Sequence, residues 1–161
     1  MLRTALFESD GPVAIRYPRG GEGNYTACSE GPEQRIRTGS DVTIVSYGLL
    51  INEALSAADS LEDKGLSADV IKINRIAGDV YPLVMDSLKK TGRLVMAEEV
   101  CAADCLGTSI LAQAEIQDVC LKKAALLNLG DGILPHGDRQ LLLRDRYLDA
   151  QAIAEAAIAL P

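Results

Sequence analysis

The residue type best suited to chemistry in this chain is an arginine at the end of an apolar run. In Gly11-Pro-Val-Ala-Ile-Arg-Tyr-Pro-Arg-Gly20, Arg19 stands between a proline and a glycine. Read as a short strand over residues 12–17, the run holds Arg19 at the rim of a sheet. Pro18 fixes the exit of the strand, Gly20 permits an unusual backbone angle, and the guanidinium is free to reach outward. A planar fork of donors in such a place suits a phosphate or carboxylate bidentately; its bland counterpart is a surface Arg in a solvated turn.

Other candidates are weaker. Glu98-Glu99 follows the apolar run Leu94–Ala97, at the edge where open parallel sheets bind ligands. Two carboxylates there could do acid-base work, but capping the next helix and meeting solvent is the simpler reading. His136, the only histidine, falls in the turn-like Ile133-Leu-Pro-His-Gly137, and no nucleophile or carboxylate can be placed beside it, which favours a structural role over a general base. Cys101 and Cys105 are separated by three residues and lack the second pair of ligands a closed zinc site requires. With Cys28 and Cys120 they read as reduced thiols. Ser46-Tyr-Gly-Leu-Leu50 lacks the repeated glycines of a dinucleotide loop. Arg19 is thus the strongest local signal, although on the residues alone a surface arginine in a solvated turn is its simpler reading.

The elements that position these residues divide near residue 40. Residues 1–40 carry five basic and five acidic side chains and six of the fourteen glycines, so the net charge of -7 arises wholly from residues 41–161. Leu2 to Glu8 reads as the tail of a helix, and residues 20–39 offer Gly, Glu, Asn, Thr, Ser and Pro without periodicity, which is linker chemistry. Beyond, four short apolar runs begin at Val42, Ala68, Leu94 and Ala124, and helical patterns follow them. Leu50, Ala54, Ala57 and Leu61 share one helix face, and Lys89-Lys90-Thr-Gly92 closes a second helix. Residues 107–115 form a third, 139–143 a fourth, and Asp149 caps a last one reaching Leu160. Continuous apolar strands alternating with helices predict a parallel sheet covered on both faces.

Composition narrows the function. The chain has 161 residues, 48% of them hydrophobic but only 4% aromatic, with no Trp, so Ala, Val, Ile and Leu must fill its core. An acidic balance without basic clusters argues against nucleic acid. No apolar run approaches the roughly 20 residues that span a bilayer, and the first ten residues turn acidic too soon for a signal peptide, so a soluble, cytoplasmic protein is expected.

The ten-residue string 11–20 resembles the segment that closes the pyrimidine-binding domain of 1-deoxy-D-xylulose-5-phosphate synthases, thiamine-diphosphate enzymes related to transketolase. The remainder resembles the carboxy-terminal domain of that family in Asp41-Val-Thr-Ile-Val-Ser-Tyr-Gly48, Val95-Met-Ala-Glu-Glu99, Pro135-His-Gly137 and Leu148-Asp-Ala-Gln-Ala-Ile153. It departs after Glu99, where Cys101-Ala-Ala-Asp-Cys105-Leu-Gly107 stands in place of the family's usual glycine pair.

The resemblance implies a three-layer α/β/α fold of the transketolase carboxy-terminal type, with a mostly parallel five-stranded sheet and one antiparallel edge strand that patterning does not reveal. It divides the chain into the end of a pyrimidine-binding domain (1–20), a linker (21–40) and the carboxy-terminal domain (41–161). It implies an enzyme that condenses pyruvate with glyceraldehyde 3-phosphate, losing carbon dioxide, on thiamine diphosphate and magnesium, for isoprenoid and thiamine synthesis. Arg19 would hold the acceptor's phosphate. The cofactor-binding and catalytic parts have no counterpart in these residues, so the chain is expected to bind neither cofactor, to be inactive alone, and to pack on the other domains within a homodimer. Alternatives are the carboxy-terminal domain of a transketolase or of a 2-oxoacid dehydrogenase beta subunit, or a stand-alone non-catalytic binding module.

Overall fold

The structure, a computed structural model, describes residues 2–17, 23–27, 29, 31–76, 80–103 and 105–160. Among the described residues five strands form one sheet: β1 (Glu33–Arg37), β2 (Val42–Tyr47), β3 (Ala68–Ile73), β4 (Arg93–Ala97) and β5 (Lys123–Leu127). Six helices accompany them among the same residues: α1 (Leu2–Phe7), α2 (Leu50–Glu62), α3 (Pro82–Thr91), α4 (Leu106–Ile116), α5 (Arg139–Asp145) and α6 (Ala150–Ala159). The strand order is β1-β3-β2-β4-β5, with β1 antiparallel to β3 and the other pairings parallel. This is the three-layer α/β/α fold with one antiparallel edge strand. Among the described residues no helix is long and apolar enough to cross a membrane.

Alternation along the strands explains the layers. Ile44, Val70, Val95 and Ala97 face α2 and α6, while Val45, Ile71, Leu94 and Met96 face α3 and α4. Because helices cover both faces, β2 to β4 need apolar residues at almost every position, which is what made them readable. Small side chains on the facing helices, Ala54, Ala57 and Ala58 of α2 with Ala154 and Ala157 of α6, are all buried and let those two helices pack closely. Gly92 ends α3 in the left-handed conformation behind Lys89 and Lys90.

Two expectations from the sequence are corrected. Residues 21–40 are not all linker, since Glu33–Arg37 forms β1, registered against Val70–Ile73 with an irregularity between Arg35 and Arg37. Its alternate polar residues gave no apolar pattern to detect, and its place at the sheet edge is why they are tolerated. Residues 12–17, read as a strand, pair with nothing in the sheet and carry no strand assignment; β-branched residues favour extended backbone, but a strand exists only with a neighbour.

The described residues between 24 and 31 are fastened to the domain. Asn52 of α2 accepts hydrogen bonds from the backbone N–H groups of Asn24 and Tyr25 at 2.9 and 2.8 Å. Lys72 lies 4.9 Å from the centre of the Tyr25 ring, and Asn74 Nδ2 donates to Ser29 Oγ and to the Gly31 carbonyl. The chain then crosses the start of β3 to pass from β1 to β2. A Cβ at Gly39 would lie 2.2 Å from the Ala68 carbonyl carbon, so backbone meets backbone and only glycine fits.

Two buried carboxylates of the sheet, Asp69 and Glu33, are paired. Asp69, fully buried on β3, accepts from Arg35 Nε at 2.9 Å, Lys90 Nζ at 2.7 Å and Ser87 Oγ at 2.8 Å. Glu33, on β1, reaches the first turn of α3, accepting from Leu83 N at 2.6 Å and Val84 N at 3.2 Å. Burial raises the Glu33 carboxyl above its ordinary value near 4.5, outweighing the opposing effect of those two backbone donors. A carboxyl raised on folding binds more protons in the native state over that interval, so its contribution to stability falls as pH rises from about 4.5 through the native value. We therefore predict that the stability advantage of wild type over Glu33→Gln is smaller at pH 7 than at pH 4. Urea midpoints at the two pH values measure it, and an advantage that grows with pH would refute the sign.

Candidate functional site at the carboxyl edge of the sheet

The sheet defines a crevice by its connectivity. From β2 the chain moves to β3 on one side, and from β3 it crosses to β4 on the other, so the carboxyl ends of β2 and β4 are where the connections diverge. Ligands of doubly wound sheets bind outside this point. Here it is bounded by Tyr47-Gly48 and Glu98-Glu99. Ser46 Oγ ties the two strands together by donating to the Ala97 carbonyl at 2.9 Å.

Glu98 is buried to 1% exposure and its carboxylate occupies the start of α4. Oε2 accepts from Leu106 N at 2.9 Å and Oε1 from Gly107 N at 2.8 Å. The residue before the helix, Cys105, supplies no side-chain cap, so this terminus depends on a carboxylate delivered from the end of β4. Gly107 makes room: a Cβ there would lie 2.6 Å from Leu126 Cδ2 and 3.1 Å from Glu98 Oε1. Tyr47 Oη also donates to Glu98 Oε2, at 3.1 Å. Burial, followed by the Glu98 charge, pushes the Tyr47 phenol far up, so it stays a neutral donor. A helix N-terminus at a switch point is where an anion would be bound. In this chain the anion is built in.

Glu99, the neighbouring carboxylate, turns outward. Its Oε1 lies 2.6 Å from Arg139 Nη2 on α5, an ion pair that falls short of a straight hydrogen bond. Its main-chain carbonyl accepts from Arg16 Nη2 at 3.3 Å. Arg16, Glu99 and Arg139, with Leu129, Leu134, Leu142 and Leu143, line a cavity of about 260 Å³. Asp138 holds α5 in place by accepting from Gln140 N and Leu141 N.

Of the residues singled out in the sequence, the structure thus brings Glu98 and Glu99 to the crevice, as a helix cap and half of an ion pair. His136 is exposed on the loop before α5. Cys101, Cys105 and Cys120 are free thiols, and Cys28 and Arg19 lie outside the described residues. Sequence reasoning missed Arg16 and Arg139. Arg16 stood in the string that was singled out, but only a partner 83 residues away distinguishes it from a solvated arginine.

Thiamine diphosphate with magnesium finds no fit among the described residues. They contain no group of three or more His, Cys, Asp or Glu able to hold a metal ion, and the α4 N-terminus that could meet a phosphate is filled by Glu98.

The domain is thus a doubly wound α/β/α sheet whose switch point holds its own carboxylates, Glu98 and Glu99. The chain belongs to the transketolase C-terminal domain family, whose description matches residues 31–153. It is 36% identical over 98% of its length to the 1-deoxy-D-xylulose-5-phosphate synthase of Heliobacterium modesticaldum, and 34% identical over 99% to that of Thermomicrobium roseum. It spans about a quarter of the length of these relatives, 25% and 26% respectively. Among solved structures it resembles a split-gene transketolase described as an inactive beta4 tetramer, with a TM-score of 0.64 and 27% identity over 81% of this chain and 43% of that one.

If Glu98 is the built-in anion of α4, Glu98→Ala leaves two buried N–H groups and the Tyr47 hydroxyl without an acceptor. Stability should fall by about 2–4 kcal/mol. Formate, a carboxylate small enough for the vacated space, should raise the unfolding midpoint of Glu98→Ala in excess of any effect on wild type. Equal salt effects on both proteins would refute the role.

Proposed function

We propose that this chain serves as the carboxy-terminal domain of a thiamine-diphosphate-dependent 1-deoxy-D-xylulose-5-phosphate synthase. The identity to such synthases across essentially the whole chain carries this reading. In the assembled enzyme, pyruvate and glyceraldehyde 3-phosphate are joined with loss of carbon dioxide, giving a precursor for isoprenoids and thiamine in the cytoplasm. The cofactor and magnesium reside on the other domains. The role of this domain is structural: it packs on the pyrimidine-binding domain and contributes to a homodimer. The residues before the linker are the edge of that neighbouring domain, and Arg19 is the one residue of this chain that meets substrate, holding the acceptor's phosphate through its guanidinium fork.

The self-filled crevice favours this over a stand-alone binding module, because the two groups that would recognise a ligand there, the α4 N-terminus and the Arg139 guanidinium, are already matched by Glu98 and Glu99. Likeness to the split-gene transketolase keeps a carboxy-terminal transketolase domain as the nearest alternative.

Two measurements test the proposal. Titrating the isolated chain with thiamine diphosphate and magnesium by calorimetry should give no binding, and micromolar affinity would overturn the assignment of the cofactor to other domains. In the assembled enzyme, Arg19→Ala should raise KM for glyceraldehyde 3-phosphate more than that for pyruvate, since only the former presents a phosphate; an equal effect on both would mean that Arg19 serves folding or domain packing.

A further inference from the structure

The large apolar side chains that the domain leaves in solvent are unevenly placed. Strands β2 to β5 run parallel, so all four deliver their carboxyl ends to one edge of the sheet, and the loops leaving there carry Ile76, Val80 and Ile133, each more than half exposed. Helix α5 lies along the same side: Arg139 at its start pairs with Glu99, and soon after its end Ala150 N donates to Glu53 in the first turn of α2. It adds Leu141 and, just beyond it, Tyr147, again more than half exposed. Among the described residues of the domain, the opposite edge exposes Ile116 and Ile158, at the far ends of α4 and α6. An apolar surface gathered on one side marks a place for another body.

The segment 2–17 indicates which body. Through Arg16, which donates to the Glu99 carbonyl at 3.3 Å and helps line the cavity there, it meets the domain on this apolar side. It also carries uncovered apolar residues of its own, Leu2, Leu6 and Phe7 of α1, each more than half exposed. A helix of six residues gains too little from its own hydrogen bonds to stand in water with that face open. A single body packed on both the segment and the sheet edge removes the two exposures together.

We propose that the carboxyl edge of the sheet, from the exit of β3 to the exit of β5, is the docking face for the domain that segment 2–17 completes, the pyrimidine-binding domain of the same enzyme. The inference rests on the reading of this chain as a carboxy-terminal domain and adds the face by which it docks. The exits of β3 and β5 are three strand spacings apart, about 15 Å, a width that an ordinary inter-domain contact spans. The charges along this edge suit it to being covered. Glu98 is satisfied by α4 and Glu99 by Arg139, so a neighbour can exclude water here without stranding either carboxylate.

A matched pair of substitutions, Ile133→Asp and Ile116→Asp, tests the face, because these side chains are 99% and 80% exposed on opposite edges. In this chain alone neither should move the unfolding midpoint. In the assembled enzyme, amide exchange over residues 128–137 should be slower than in the chain alone by ~tenfold or more; Ile133→Asp should largely abolish that protection and Ile116→Asp should leave it intact. Equal exchange with and without the preceding domains, or an equal effect of the two substitutions, would overturn the docking face; the functional reading would survive if the same enzyme still condenses pyruvate with glyceraldehyde 3-phosphate. Protection that appears in the chain alone as its concentration rises, with a doubled mass in solution, would make the occupant a second copy and overturn the proposal as well. An assembled wild type without that activity would strike the functional reading, and the identity of the occupant with it.

Discussion

A carboxylate held against a helix N-terminus governs how this domain is put together. Glu98 follows β4 directly, caps α4 and receives the hydroxyl that closes β2, so one buried side chain fixes three elements at the edge where the sheet's connections part. Left unpaired, a buried charge there would be strongly destabilising; left without an acceptor, the N–H groups of α4 would be too. Each need answers the other. Gly107 is the steric condition for the contact, and the neighbouring residue, Glu99, is thereby presented outward to Arg139 and Arg16.

The same device recurs. Glu33 from β1 serves α3, and Glu53 from α2 reaches Ala150 N at the start of α6, where Asp149 also accepts from Ala152 N. An acidic composition that at first suggested only what the protein does not bind therefore has a positive use, since several of its carboxylates complement helix dipoles from neighbouring elements. Caps that come from a different element stabilise tertiary arrangement as well as the helix itself.

The contrast between what the sequence disclosed and what it concealed follows from burial. β2, β3 and β4 are covered on both faces and had to be written in apolar residues, and the helices beside them carry their faces in Leu, Val and Ala at helical spacing. β1 is a strand only because β3 offers it hydrogen bonds, and no local property of Glu33–Arg37 announces that. Conversely, the apolar run before Tyr17 has the composition of a strand without a partner to make it one. At the site, Glu98 was visible as a carboxylate at a strand end, with capping as its simplest use. The grouping of Arg16, Glu99 and Arg139 was not visible, because it joins three segments whose proximity only the crossover connections create.

The position of β1 has a further consequence for the order in which the chain is made. It leaves the ribosome before β2 and α2, yet its pairing partner, β3, is synthesised after both. During that interval Glu33–Arg37 is an edge without a sheet, the kind of segment that joins chains to one another when it is apolar. Glu33, Arg35 and Arg37 keep it hydrated while it waits. Once the sheet has formed, these charges acquire partners in the α3 N-terminus, Asp69, and the Asp59 and Glu62 carboxylates of α2. The residues that hid this strand from the sequence thus protect the nascent chain first and secure the finished edge afterwards.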